Sequence, residues 1–79
     1  MEYHQLKIKP EHLEAIIAGD KTFEIRKNDR DFKVGDRVTL IETNGKRYLT
    51  IRIKYITDYA QQDGYVVFSF DWIEGGLIE

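Results

Sequence analysis

Residues 19–30 read GDKTFEIRKNDR, and the alternation within this stretch decides how the fold is interpreted. Phe23 and Ile25 share one side of an extended segment, and the charged Glu24 and Arg26 share the other. Such alternation is typical of a β-strand with one face on the core. We therefore expect Phe23 and Ile25 to be buried, which leaves the charges of this stretch free to form a site.

The rest of the chain predicts four more strands and one helix, in the order β-α-β-β-β-β. Alternating or apolar segments indicate strands over residues 3–9, 21–27, 37–42, 48–57 and 65–73. Pro10 suits the first turn of a helix and Gly19 suits its end, so a helix of about two to three turns is expected between them. Asn44-Gly45 is a strong signal for a hairpin between the third and fourth strands.

A single helix cannot cover both faces of a flat five-stranded sheet, whereas curling the sheet removes the bare face and the free edges. The expected fold is therefore of the α+β class: a small curled or closed β-barrel of about five strands with one helix after the first strand. Residues 1–79 form a single domain in this interpretation, with residues 74–79 as a flexible tail. The expected core consists of Leu6, Ile8, Phe23, Ile25, Val38, Leu40, Ile51, Ile53 and Val67.

The composition excludes several classes of protein. The chain has 79 residues, no cysteine and a formal net charge of −2, which excludes disulfides and thiolate metal sites and disfavours nonspecific coating of nucleic acid. The charge is uneven, because residues 21–37 contain six basic and four acidic side chains, whereas residues 58–79 contain five acids and no Lys or Arg. No apolar run approaches a membrane span and no signal-peptide pattern is present, so a cytoplasmic protein without membrane contact is expected.

Candidate ligand-binding residues concentrate at the junction between the helix and the second strand. Lys21 and Arg26 offer positive charge to a phosphate, and the planar guanidinium of Arg26 also fits a base edge. Glu24 could orient either cation or accept from an amino group of a base. Lys21 and Glu24 are also the candidate catalytic residues. The full set adds a charged rim, a histidine on an apolar face and two aromatic side chains for base stacking: Lys27, Arg30, His4, Tyr65 and Trp72.

Each candidate also has a purely structural interpretation. The charged side chains could be solvated strand-end and loop residues, and Glu24 could simply pair with Arg26. His4 shares the parity of apolar residues and could be a hydrogen-bonded core residue, while the aromatic side chains could all serve the core. The two histidines do not have the spacing of metal ligands, and the sequence contains no cofactor-binding motif.

The run GDKTFEIRKNDRDFKVGD, preceded by HQLKIKPEHLEAIIA and followed later by GYVVFSF, resembles the ASCH domain family of the PUA-like superfamily. The likeness extends from His4 to Phe70 and is greatest to small bacterial and phage ASCH-like proteins of unknown function. This resemblance implies a PUA-like barrel and a binding cleft near the motif, with RNA or a modified nucleotide as the ligand. Its core is the G-x-K-x-x-E-x-R pattern, formed here by Gly19, Lys21, Glu24 and Arg26.

One branch of the ASCH superfamily consists of amidohydrolases that remove the acetyl group of N4-acetylcytidine. Those enzymes use the motif lysine, a threonine three positions later and a glutamate from elsewhere in the chain. Lys21 matches the lysine, but position 24 is Glu24 rather than threonine, and Glu74 lacks a matching context. Three hypotheses follow: an RNA- or nucleotide-binding module, a small amidohydrolase in which Lys21 activates the nucleophile, and a phage or host protein-interaction domain.

Overall fold

The computed structural model describes residues 1–78 and shows one helix and five strands in the predicted order. The helix begins at Pro10, as predicted, and Gly19 follows its end with a φ of 82°. Over residues 1–78 no helix has both the length and the apolar character needed to cross a membrane. The elements are β1 (Tyr3–Ile8), α1 (Pro10–Ile17), β2 (Phe23–Lys27), β3 (Arg37–Glu42), β4 (Arg47–Thr57) and β5 (Tyr65–Leu77).

The five strands form one sheet in the spatial order β1-β3-β4-β5-β2, and this sheet is curled into a half-barrel. β1 runs parallel to β3, and the other neighbouring pairs are antiparallel. A curled five-stranded sheet with one helix after the first strand confirms the predicted α+β fold. β1 and β2 are the two edges of the sheet, and no backbone ladder joins them anywhere in the described chain.

The core lies within the half-barrel, and α1 contributes Leu13 and Ile16 to it. Alternate residues of β3 point inward, as their sequence predicts. Phe32, from the connection between β2 and β3, contacts Phe68 with 5.4 Å between ring centroids. The helix and this loop residue thus complete a core that the sheet alone would leave half covered. The buried cluster consists of Ile8, Leu13, Ile16, Phe32, Val38, Leu40, Leu49, Ile51, Ile53, Val66, Phe68 and Phe70.

The inward face of β2 is the opposite of the predicted one. Phe23 and Ile25 are 41% and 50% exposed, whereas Glu24 is only 2% exposed. The register with β5 explains the difference, because Glu24 lies opposite Phe68 and directly opposite residues of an antiparallel pair share a face. Since Phe68 points into the core, Glu24 must point there as well. The prediction that Phe23 and Ile25 are core residues is therefore wrong.

Two further members of the predicted core are only half-buried. Val67 lies opposite Ile25 on the outer face of the sheet, because Val66 and Phe68 take the inward positions of β5. Leu6 packs against the core from the β1 edge. Consecutive apolar residues hide the alternation of β5, so its parity could not be read from the sequence. The other predicted core residues are buried as expected: Ile8, Val38, Leu40, Ile51 and Ile53.

Residues 74–77 do not form the flexible tail that the sequence predicts. They continue β5 and pair with the first residues of β4, so that Leu77 lies opposite Arg47. The hairpin turn at Asn44, whose φ is 58°, starts β4 early enough to offer this partner. Because β4 pairs with β5 as far as Leu77, the backbone N–H and C=O groups that face β4 have hydrogen-bond partners up to the end of β5. Residue 79, the last of the predicted tail, lies outside the described residues.

A buried carboxylate holds the start of β1 against the start of β3. Asp36 is 2% exposed and accepts hydrogen bonds from the Glu2 N–H at 2.9 Å, from His4 Nε2 at 2.9 Å and from the Lys33 N–H at 3.0 Å. Burial raises the pKa of Asp36, but these hydrogen bonds together outweigh it and hold the pKa below its ordinary value. His4 also packs edge-on against Phe32. Hydrogen bonds of a buried carboxylate therefore join the N-terminal ends of the parallel strands β1 and β3.

The register of β2 predicts which aromatic side chain the fold depends on. Phe68→Ala should lower the free energy of unfolding by about 3–5 kcal/mol, because a buried aromatic side chain is lost. Phe23→Ala should cost about 1 kcal/mol or less, since that ring is already partly exposed. Urea denaturation of both variants measures the difference. Equal losses would contradict the pairing of Glu24 with Phe68.

The lowered pKa of Asp36 predicts an acid-sensitive contribution to stability. The contribution is complete above the unfolded-state pKa of about 4 and is lost as the pH falls through the lower folded-state pKa. Asp36→Asn should therefore cost about 1.5–3 kcal/mol at pH 7, and its difference from the wild type should shrink below about pH 4. Urea denaturation across this pH range measures the difference. Asp31→Asn, at an exposed carboxylate, is the matched control and should show neither effect.

Candidate functional site

Lys21 is positioned by the end of the helix. Gly19 adopts the left-handed conformation, and the N–H groups of Asp20 and Lys21 both donate to the Ala15 carbonyl, at 2.9 and 3.0 Å. These bonds close α1 in one tight turn and direct the chain into β2. The Lys21 ammonium consequently lies near the first residue of β2, 5.8 Å from the centroid of the Phe23 ring.

Glu24 is the centre of a charged cluster on the inward face of β2. Its side chain is 3% exposed, and its two oxygens have different cationic partners. Oε1 accepts from Lys21 Nζ, and Oε2 accepts from Arg26 Nε at 2.8 Å. A buried carboxylate requires such charged and hydrogen-bonded partners to offset its desolvation. Glu24 therefore holds Lys21 and Arg26 in fixed positions and has little capacity left to contact a ligand itself.

Two arginine side chains cross the gap between the edges of β1 and β2. Arg26 Nη2 donates to the Lys7 carbonyl at 2.9 Å, and Arg30 Nη1 donates to the Gln5 carbonyl at 3.0 Å. We call the gap that these two arginines cross the β1–β2 seam. Gln5 and Lys7 are at positions i and i+2, and alternate carbonyls of a strand point to the same side. A neighbouring strand would bond to the β1 edge at this spacing. Guanidinium groups thus take the place of a missing strand, and the barrel stays open there.

Two clefts open along the β1–β2 seam, and both include Lys7 and Arg26 in their walls. Each has the size of a small-molecule binding site. The helix-side cleft, of about 520 Å³, is lined by Lys7, Ile8, Lys9, His12, Lys21, Phe23, Glu24, Ile25 and Arg26. The loop-side cleft, of about 490 Å³, is lined by Gln5, Leu6, Lys7, Arg26, Lys27, Asp29, Arg30, Phe32 and Ile41.

Positive charge concentrates at the β1–β2 seam although the chain is acidic overall. The acidic residues lining it are Asp29 and Glu24, and the Glu24 carboxylate is covered by its two cations. The exposed side chains of Phe23 and Ile25 give the helix-side cleft an apolar wall. The seam therefore attracts anions and also offers an apolar surface. Six of the twelve Lys and Arg residues line it: Lys7, Lys9, Lys21, Arg26, Lys27 and Arg30.

The structure brings five of the predicted site residues together at this seam. Lys21, Glu24 and Arg26 form the ion-paired cluster. Lys27 and Arg30 line the loop-side cleft beside that cluster. The predicted helix-to-strand junction is thus one end of a longer basic surface that continues along β2 and the loop after it.

The other three predicted site residues lie elsewhere. His4 is hydrogen-bonded to the buried carboxylate of Asp36 and lines neither cleft of the seam. Tyr65 is half-buried and lies opposite Lys27 at the start of β5. Trp72 lies farther along β5, beyond the part of that strand that β2 covers. None of these three side chains lines a cleft of the seam, although Tyr65 lies across the sheet from Lys27.

Trp72 lines a third cavity of about 360 Å³, which we call the distal groove. The groove lies between the end of α1, the start of β4 and the end of β5. It shares no lining residue with the clefts of the seam. Glu74, the alternative catalytic glutamate, lies in the same part of β5, opposite Thr50, and is exposed. The lining residues are Ile17, Arg47, Tyr48, Leu49, Trp72, Gly75, Gly76 and Leu77.

Several residues that line or support the site carry no functional signal in the sequence. Lys7 is on the outward parity of β1 and Lys9 immediately follows that strand, but only the curling of the sheet places them beside β2. His12 gave no signal beyond an exposed helix position. Asp36 follows Gly35, and a Gly-Asp pair is typical of a turn, so the sequence does not mark its carboxylate as buried. Within residues 1–78 no three His, Asp or Glu side chains are grouped closely enough to hold a metal ion.

Comparison with known proteins gives a structural neighbour and a family. The fold is similar to the crystal structure of hypothetical protein PH0355, with a TM-score of 0.64 and 21% sequence identity over 92% of this chain and 100% of that one. A likeness at this identity shows the fold alone. No curated protein matches the chain. The family model described as a domain of unknown function, DUF3850, matches residues 3–70, and the chain belongs to this family.

Proposed function

We propose that this protein binds RNA or a nucleotide, including modified nucleotides, in the β1–β2 seam. The observation that carries the proposal is the concentration of half of the chain's basic residues along two clefts of an otherwise acidic protein. Nonspecific coating of nucleic acid needs a broad positive surface, whereas a basic cleft suits a ligand with a few phosphates. The proposed ligand is therefore a short single strand or a nucleotide rather than a duplex.

The cluster around Glu24 supports this proposal through its geometry. Arg26 is held by Glu24 at Nε and by the Lys7 carbonyl at Nη2, so its guanidinium plane is fixed at the boundary between the two clefts. A fixed guanidinium binds a phosphate or a base edge with little loss of conformational entropy. Lys21 adds a second fixed positive charge at the helix end. Glu24 acts in this proposal as a positioning residue and not as a ligand contact.

The proposal includes kinship with the ASCH family of the PUA-like superfamily. Its support is the G-x-K-x-x-E-x-R pattern, whose lysine, glutamate and arginine form one ion-paired cluster between α1 and β2. The apolar wall formed by Phe23 and Ile25 gives the planar face of a base a surface to lie against. Phosphate groups would then lie near the cations of the loop-side cleft, among them Lys27 and Arg30.

An amidohydrolase acting on an acylated nucleoside such as N4-acetylcytidine is the alternative function. The feature that favours it is Lys21, whose side chain is 18% exposed and lines the helix-side cleft. Three features disfavour it: both oxygens of Glu24 are occupied, Lys21 is paired with that carboxylate, and Glu74 lies outside both clefts. We therefore propose binding as the primary function.

Substitutions in the seam should weaken binding of a single-stranded RNA oligomer. Lys21→Ala, Arg26→Ala and Lys27→Ala should each raise the Kd several-fold, because each removes a cation from the clefts. Lys27→Ala disrupts no ion pair within the described residues, so its effect is separate from stability. The matched controls Arg52→Ala and Lys46→Ala remove exposed cations that do not line the seam and should leave Kd unchanged.

The salt dependence of the same titration tests whether the ligand is bound in a compact cleft that contacts only a few phosphates. The slope of log K against log salt should be about −0.7 to −2, which corresponds to one to three neutralised phosphates on a single strand. Fluorescence anisotropy at several salt concentrations measures it. A steep slope, typical of a polycation, would contradict binding in a compact cleft. The absence of binding to RNA, DNA and nucleotides would favour the protein-interaction hypothesis.

A lysine-to-arginine substitution separates the binding module from the enzyme. In a binding module Lys21→Arg keeps the charge and should change Kd only modestly. In an amidohydrolase it should abolish turnover, because arginine stays protonated and cannot act as nucleophile or base. We expect no conversion of N4-acetylcytidine to cytidine above background with the wild type, measured by liquid chromatography. Robust deacetylation that depends on Lys21 would make the enzyme the primary function.

A further inference from the structure

Two arginine side chains lie next to each other on the outer face of the sheet. Arg37 of β3 is directly opposite Arg52 of β4. The next opposite pair, Val38 and Ile51, is fully buried, so the alternation of the two strands places both arginines on the outer face. Directly opposite side chains have Cβ atoms about 5 Å apart, and like charges at this distance destabilise the pair. The register of β3 with β4 therefore brings two guanidinium groups together against their mutual repulsion.

Neither arginine has an anionic partner in the part of the chain that the structure describes. No ion pair within residues 1–78 includes Arg37 or Arg52. Arg37 Nε is buried and has no hydrogen-bond partner, so this N–H has lost its water without gaining an acceptor. The acids near Arg37 in the fold are engaged otherwise: Asp36 is buried and binds His4, and the backbone carbonyl of Glu2 accepts from the Arg37 N–H.

The acidic side chains beside this pair are on β5, at a distance from Arg37. Asp71 lies opposite Arg52, but its ion pair is with Lys54, at 3.5 Å. Glu74 also lies on β5. Because β4 separates β5 from β3, Arg37 is two strand spacings away, about 10 Å, from either acid. Exposed charges at that separation are largely screened at 0.1 M salt, so the positive charge of Arg37 is not balanced by these acids.

The geometry of the pair favours a phosphate group as the ligand. A tetrahedral phosphate has oxygens in several directions and can accept from two guanidinium groups at once, whereas one planar carboxylate matches one guanidinium. A phosphomonoester also has a charge of about −1.5 to −2 at pH 7, which suits two cations. Tyr3 lies opposite Arg37 on its other side and is 72% exposed, so its ring gives the organic part of a ligand a surface to contact.

We propose that Arg37 and Arg52 form a binding site for a phosphate group, either free phosphate or the phosphomonoester of a small molecule. The bound phosphate relieves the repulsion between the two guanidinium groups, and one of its oxygens supplies the acceptor that Arg37 Nε lacks. The site shares no residue with the clefts of the β1–β2 seam, and its occupation does not depend on RNA or nucleotide binding there.

Proton–nitrogen correlation NMR of the full chain tests the site directly, because it detects arginine Nε–H groups. Titration with inorganic phosphate at constant ionic strength should shift the signals of Arg37 and Arg52 until they saturate. Chloride should leave both signals in place, and acetate should require a roughly tenfold higher concentration, because it matches a single guanidinium.

A second titration with adenosine 5′-monophosphate, followed by the same two signals, distinguishes the sources of the phosphate group. Tighter binding of this nucleotide than of inorganic phosphate would identify a phosphorylated small molecule as the ligand of the pair. Equal or weaker binding would identify free phosphate.

Conservative substitutions provide the matched test in the protein. Arg37→Lys and Arg52→Lys keep the charge but remove a planar guanidinium, and each should weaken phosphate binding roughly tenfold, measured from the signal of the remaining arginine. The control Lys46→Ala removes an exposed cation outside the pair and should bind phosphate like the wild type.

The proposal is overturned if inorganic phosphate leaves the Arg37 signal in place, if acetate acts at the same concentration as phosphate, or if the lysine variants bind as well as Lys46→Ala. A shift of the Arg37 signal with single-stranded RNA but not with inorganic phosphate would also overturn it, because the arginine pair would then belong to the ligand of the seam.

Discussion

The burial of the Glu24 carboxylate is the constraint on which the seam depends. Removing a carboxylate from water costs several kcal/mol unless cations and hydrogen bonds compensate for it. Lys21 comes from the end of the helix and Arg26 from the same strand, and Arg26 also reaches the backbone of β1. Through these contacts, one buried carboxylate connects the end of α1, the inward face of β2 and the edge of β1. It also accounts for a strand whose apolar side chains face outward.

The half-barrel gives these charges a place to act. A closed barrel would join β1 to β2 by a backbone ladder and leave no cleft between them. Here the arginine bridges hold the two edges near each other while the clefts remain open. The groups that hold the edges are thus the groups that the proposed ligand would contact. Sites of this kind combine a structural and a binding role, and substitutions in them alter stability and affinity together.

Much of the fold could be predicted from the sequence, because local signals determine most of its elements. Pro10, Gly19 and Asn44-Gly45 mark a helix start, a helix end and a hairpin, and the structure has all three. The orientation of β2 could not be predicted, because alternation identifies two faces without saying which one is buried. The buried face of β2 is set by its register with β5, in which Glu24 lies opposite the buried Phe68. A register between strands distant in sequence is a tertiary property that local patterns do not encode.

The candidate site could be predicted only where its residues are close together in sequence. Lys21, Glu24 and Arg26 are close in sequence, so their contact follows from local geometry. Lys7 joins them only because the ends of the sheet approach each other, which no local pattern encodes. Residues 74–77 were misjudged because Gly75-Gly76 is typical of a loose end, whereas a partner strand far away in sequence pairs with them. The two features that the sequence did not reveal, the place of Lys7 and the strand at residues 74–77, both depend on contacts between segments distant in sequence.

The parallel pairing of β1 with β3 has a consequence for how the molecule assembles. β3, β4 and β5 follow one another as antiparallel neighbours, so their contacts are comparatively local in sequence. β1 meets β3 only after α1 and β2 have been traversed, and such non-local contacts form late because chain entropy must first be lost. We expect the central three strands to act as the folding scaffold onto which β1 and β2 close last. The boundary between those two strands would then exchange its amide hydrogens fastest and open without global unfolding.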